Sequence, residues 1–173
     1  MTIAVTTEAA PSRHRSLCFF LAVIATIELV DALTSIQTIF TDHANDTTAL
    51  RFAQTLTNIR LLLTPLIVAA ALVFCAMGNV HRAILALAAF NLMVWLLDGV
   101  PTIALHGMSL SFDYGGLEDV FLYIVTPIAA LAAGALALRK RRPGLASLLV
   151  SLSTLFRWIG VLIFFITIVK YGI

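Results

Sequence analysis

Four ionisable side chains stand inside apolar runs where charge is expensive, and their spacing limits what they can do. Glu28 and Asp31 lie one helical turn apart in the run 16–40, Asp98 interrupts 82–105 and Arg157 interrupts 146–170. Arg60 joins them close to the start of the run 57–77. Carboxylates and guanidiniums at such depth can neutralise one another, share a proton or hold a cation, and must face the interior of a bundle. Counted from the basic ends of their segments, Glu28 and Arg157 lie at equal depth, roughly 17 to 18 Å in at 1.5 Å per residue, so they are expected to pair. Asp31 and Asp98 fall a turn further on. Arg60, coming from the opposite side, can reach either of them, and two aspartates near one arginine would hold a single negative charge, a shared proton or a cation.

Neutral polar residues accompany these charges at helical spacing. Glu28, Asp31, Ser35 and Thr38 form one stripe, Asn91, Asp98 and Thr102 a second, and Ser147, Ser151, Thr154 and Arg157 a third. Two Thr-Pro steps, Thr64-Pro65 and Thr126-Pro127, each remove a backbone donor inside an apolar run and are expected to kink it. A cavity opened by those kinks would be lined by Ser35, Thr64, Asn91, Thr102, Tyr123 and Thr126. Trp95 and Trp158 are expected to fill the core, and Tyr171 to anchor a membrane boundary.

Other chemistries find less support. His14 and His81 fall at one end of the segments, His43 and His106 at the other, so no imidazole is placed to ligate haem inside a bilayer. His43, His106, Asp113, Glu118 and Asp119 share the outer side but lack tight ligand spacing, which makes them solvated loop residues before a metal site. No phosphate-cradling loop or Gly-x-Ser-x-Gly turn is present. No cofactor is implied.

The elements that must position these residues follow from composition. The chain has 173 residues, 61% of them hydrophobic and 12% charged, with a mean hydropathy of +1.02. So much apolar surface calls for lipid as solvent, and the expected class is an all-α integral membrane protein. Five segments reach the roughly 20 residues needed to span a bilayer: 16–40, 57–77, 82–105, 119–138 and 146–170. Residues 1–15 read as a disordered cytoplasmic tail, and the run after them is too long for the core of a signal peptide. Arg13, Arg15, Arg82 and the run Arg139-Lys140-Arg141-Arg142 share one side if the N-terminus is cytoplasmic, which puts the C-terminus outside and favours the plasma (inner) membrane. Cys18 and Cys75 then lie near the cytoplasmic ends and are expected to be reduced. A net charge of +2 gives no footprint for nucleic acid.

An internal repeat is suggested by the two Thr-Pro steps and the two aspartates, which occupy matching places if segments 1 and 2 form a hairpin repeated as segments 3 and 4, with the fifth added. Segment 4 also carries small residues at i and i+4, Ala129 with Ala133 and Ala130 with Gly134, which let a helix of the same fold, a partner or a second copy approach closely. Three functions fit: an accessory or scaffold protein whose buried charges fix helix register, a small proton- or cation-coupled transporter using Asp31 and Asp98, and a membrane enzyme or quinone-linked subunit using the outer His and carboxylate cluster. The scaffold ranks first, because five helices make a small machine and no catalytic spacing stands out.

Overall fold

An apolar run in lipid has no water to satisfy its N–H and C=O groups, so each folds as a helix that bonds to itself. In the computed structural model, which describes residues 10–36, 48–108 and 114–171, every regular element among the described residues is helical. The elements are α1 (Ala10–Ser35), α2 (Thr48–Ala76), α3 (Val80–Val94), α4 (Val100–His106), α5 (Tyr114–Val120), α6 (Thr126–Leu138) and α7 (Pro143–Tyr171). A π-helical turn, Trp95–Gly99, joins α3 to α4, and another, Phe121–Val125, joins α5 to α6. Counted as continuous spans, five helices are long and apolar enough to cross a membrane: His14–Ser35, Arg51–Ala76, Val80–His106, Gly116–Leu138 and Pro143–Lys170.

Two helices begin earlier than the apolar runs suggest. The first starts at Ala10, inside the stretch expected as a tail, and the second at Thr48, nine residues before the expected 57. Hydropathy misses Thr48 to Leu56 because the segment is polar. Its Ala, Leu, Arg and Gln residues are nonetheless good helix formers, and its turns continue a helix already nucleated by the span.

Tight turns join the spans on one side. After α2, Gly78 takes φ +71°, and Asn79 N–H donates to Phe74 O at 2.8 Å, which satisfies a terminal carbonyl. Asn79 then caps α3, its side chain accepting from Arg82 N–H. Between α6 and α7 the same six-to-one closure recurs, Arg141 N–H to Leu136 O at 3.0 Å, although Lys140 at φ 51° occupies the left-handed position that glycine usually fills.

That end of the bundle is dry. Leu21, Val68, Val80, Ile84, Leu87 and Val150 are fully or almost fully buried there, with Ala25, Ala71, Ala83, Ala133, Ala137 and Ala146 between them. The alanines let the helices approach closely. Ala129, Ala130 and Ala133 are all buried within the chain, and a Cβ added at Gly134 would lie 3.9 Å from that of Ala88 on α3. The small-residue face of the fourth span is therefore used inside the fold.

Only 6% of the apolar window of α7 is buried, against 28% to 39% in the other four spans. Beyond Thr154 it leaves the bundle, and Ile159, Leu162, Ile163, Phe164, Phe165, Ile166 and Val169 are exposed on every side. Phe156 still stacks on Phe121 with ring centroids 4.0 Å apart, which ties α7 to the π-turn at the level of Arg157. Cys18 and Cys75 are free thiols, buried in the dry end.

Candidate functional site

The other half of the bundle holds a cavity of about 170 Å³. It is lined by the five charges singled out above, Glu28, Asp31, Arg60, Asp98 and Arg157, and by Ser35, Thr64, Asn91, Thr102, Tyr123 and Thr126. Phe90, Trp95, Gly99 and Ser153 complete the parts of its wall that matter below.

Glu28 is the most tightly held. It lies on the core stripe of α1 with Leu21, Ala25 and Ala32 and is 4% exposed. Arg157 Nη2 donates to both of its carboxylate oxygens, at 2.9 and 2.8 Å, and Thr154 Oγ1 donates to Oε1 at 2.6 Å. Charge and lone pairs are thus answered together, which is the condition under which a buried ion is tolerated.

The aspartates are placed otherwise. Asp31 sits at the edge of that stripe with its side chain 49% exposed, and takes Arg157 Nη1 at 3.2 Å. Arg157 therefore serves both α1 carboxylates. Arg60 turns to Asp98 alone, so the expected arrangement of two aspartates on one arginine is not formed. Even that pair is loose: Nε lies 3.9 Å from Oδ2 and, though buried, has no hydrogen-bond partner. The firm contact of Asp98 is Thr57 Oγ1, donating at 2.8 Å to Oδ1. Thr57 stands one turn before Arg60, and that spacing is the signal that could have found it.

Asn91 is buried with both its amide nitrogen and oxygen bonded, donating to Val150 O at 2.8 Å and accepting from Ser153 at 3.2 Å, so it ties α3 to α7 beneath the charges. Ser35 and Thr102 remain on the wall, the latter donating to Asp98 O at 2.7 Å. Thr38 lies outside the described residues.

Sequence patterns gave no warning of the two π-turns. Each widens its helix by one residue, Val100 N–H bonding to Trp95 O and Thr126 N–H to Phe121 O, and each is followed at the second position by a proline, Pro101 or Pro127. Pro127 cannot donate to Tyr123 O four residues back, and Trp95 Nε1 does so instead, at 3.0 Å from the neighbouring π-turn. Gly99 allows the two turns to meet: a Cβ there would stand 3.3 Å from Tyr123 Cδ1 and 3.4 Å from Trp95 Cδ1. The α2 helix, by contrast, stays α-helical through Pro65, so the two Thr-Pro steps have different local structures.

Trp95 lines the cavity, whereas Trp158, expected in the core, is 48% exposed, because α7 has left the bundle at that level. His106 is exposed, Glu118 and Asp119 are half-buried, and no three His, Cys, Asp or Glu side chains gather as metal ligands among the described residues. His43 and Asp113 lie outside those residues, and Tyr171 ends α7.

No protein-family model, curated protein or solved structure matches the chain. Chemistry alone is left to assign the cavity. Three carboxylates face two guanidiniums across a space large enough for several non-hydrogen atoms, and one negative charge is left over.

Proposed function

We propose that the protein is a small proton- or cation-coupled carrier, with the N-terminus cytoplasmic and the C-terminus outside the plasma (inner) membrane. The observation that carries this is the cavity itself. Charges that served only to fix register would be packed against one another, as Glu28 and Arg157 are; Asp98 and Arg60 instead stand 3.9 Å apart on the wall of an open space. Paired π-turns beside it add support, since such turns recur where helices are adapted to function, and half-helices on either side of one can swing. In this reading Glu28 and Arg157 are the fixed frame, Asp98 and Asp31 exchange a proton or cation, and Arg60 is the counter-charge released when Asp98 is occupied. The orientation rests on Arg82 and the exposed basic turn Arg139 to Arg142 lying on one side. A tandem-hairpin origin fits the supply of one aspartate from each hairpin.

A scaffold role is the second reading. The outer half of α7, apolar and exposed all round, is what favours it. The two separate in proteoliposomes with an entrapped pH dye and an imposed potassium diffusion potential. The carrier reading expects proton or methylammonium flux above that of empty vesicles, reduced at least tenfold in Asp31→Asn and in Asp98→Asn. Flux equal to empty vesicles, or both variants matching the parent, would leave the scaffold reading in place.

A further inference from the structure

A second concavity, about 560 Å³, runs along the outside of α1 and meets the polar cavity at one side chain, Asp31, which lines both. Its wall is mostly apolar, built from Phe19, Val23, Ile27 and Val30 of α1 and Trp158 of α7, with Thr26 and Thr34 bonded to their own helix. From Phe19 to Asp31 the trough covers roughly 18 Å at 1.5 Å per residue, parallel to the helix and hence to the acyl chains around it.

The junction is the anomaly. Arg157 lies midway along the span Pro143–Lys170, yet its side chain is 41% exposed, and that of Asp31 is 49% exposed. Charges at that depth avoid hydrocarbon and face a polar neighbour. An apolar trough that ends on a half-exposed ion pair and continues into a polar cavity matches a molecule apolar along one end and polar at the other. The charge of the polar part follows from the lining, where three carboxylates outnumber two guanidiniums. The aromatic side chains of Trp95 and Tyr123 lie on the same wall, and aromatic rings attract a quaternary or protonated nitrogen.

We infer that the site takes a single-chain cationic amphiphile, its tail in the α1–α7 trough and its ammonium head in the cavity between Asp31 and Asp98. The inference rests on the cation-site reading above and names the ligand class. The ligand comes laterally from the bilayer, past Asp31, and Trp158 is the residue it passes.

Trp158 also reports on it. The full chain, with the emission of a Trp158→Phe variant subtracted to isolate that of Trp158, is placed in phosphatidylcholine nanodiscs and titrated with an alkyltrimethylammonium brominated along its chain. Saturable quenching is expected, at least tenfold tighter than for the sulfonate bearing the same tail, and at least tenfold weaker in Asp31→Asn. Trp158 retained with Asp98→Asn, a variant that leaves the Glu28 frame whole, should show the same loss. Equal quenching by cation and sulfonate, or no change in either variant, would overturn the proposal. So would efficient cross-linking of Trp158→Cys, in a chain with Cys18 and Cys75 replaced by Ala, into a dimer whose yield saturating amphiphile does not lower, since a second copy would then fill the trough. Methylammonium flux that depends on Asp98 while the amphiphile fails to bind would overturn this inference alone; loss of both would overturn the carrier reading with it.

Discussion

Glu28 shows what a membrane interior asks of a single charge. Its carboxylate is 4% exposed and is met by three donated hydrogen bonds, two from one arginine nitrogen and one from Thr154. Removing the arginine would leave a buried anion with one hydroxyl. Arg157→Ala is therefore expected to cost about 3 kcal/mol, the low end for a broken buried pair because the guanidinium is partly exposed. It should be seen as a lower melting temperature in detergent and less folded protein in the membrane, with Glu28→Gln in the same chain restoring part of the loss; an unchanged melt would contradict the assignment. At this scale much was legible. Depth and helical spacing put Glu28 opposite Arg157, and the charges and lining residues expected from five separate segments all line the cavity, with Ser153 the one missed. What spacing could not supply was the division of partners. Asp31 is only three residues from Glu28, a rotation of about 60°, yet that turn takes it from the core stripe to the border, where Arg157 reaches it and Arg60 does not.

The second and fourth spans differ where their sequences look alike. Both carry a Thr-Pro step, but only the fourth span opens into a π-turn, because its freed Tyr123 carbonyl finds Trp95 Nε1 and its neighbour at the crossing is Gly99. A proline predicts a lost bond and nothing about who replaces it. Long apolar spans were easy to read, since length and hydropathy decide them; the polar start of α2 was not, since hydropathy passes over a segment that propensity makes helical, nor were the π-turns, which depend on tertiary neighbours. The crossing yields a paired prediction. Gly99→Ala puts a Cβ 3.3 Å from Tyr123 Cδ1 and displaces the ring, with a cost of about 1 kcal/mol from overpacking and a severalfold loss of cation binding in the cavity. Gly134→Ala meets only Ala88 at 3.9 Å and should be neutral or stabilising by about 0.5 kcal/mol. Thermal melts and a binding titration on the two variants check both halves, and equal behaviour would show that Gly99 is not a close-packing position.

Across the whole molecule, dry and polar material are segregated. One end of the bundle is mostly alanine, leucine and valine, its polar members being the thiols Cys18 and Cys75, the partly buried His81 and short serines bonded to their own helix, such as Ser147 to Pro143 O. The other end holds Glu28, Asp31, Arg60, Asp98 and Arg157 and is braced by Asn91, which joins α3 to α7 where the two regions meet. In the carrier reading, a rigid floor below an open chamber would give access from one side and from the α1–α7 face, with the π-turns as the moving parts. Composition announced the membrane class, and the sequence pattern the contents of the chamber; that the chamber stays open, and that α7 departs from it, is the outcome of packing among five helices. The central claim is that this chamber is water-accessible and negative. With Cys18 and Cys75 replaced by Ala, Thr102→Cys places one thiol on its wall beside Asp98. Its reaction with a methanethiosulfonate bearing an ammonium group should outrun that with the sulfonate analogue by roughly tenfold, a difference of about 1.4 kcal/mol, after each rate is divided by that for a free thiol in solution, and Asp98→Asn should remove most of the preference. A thiol that reacts with neither reagent, or equally with both, would contradict the account.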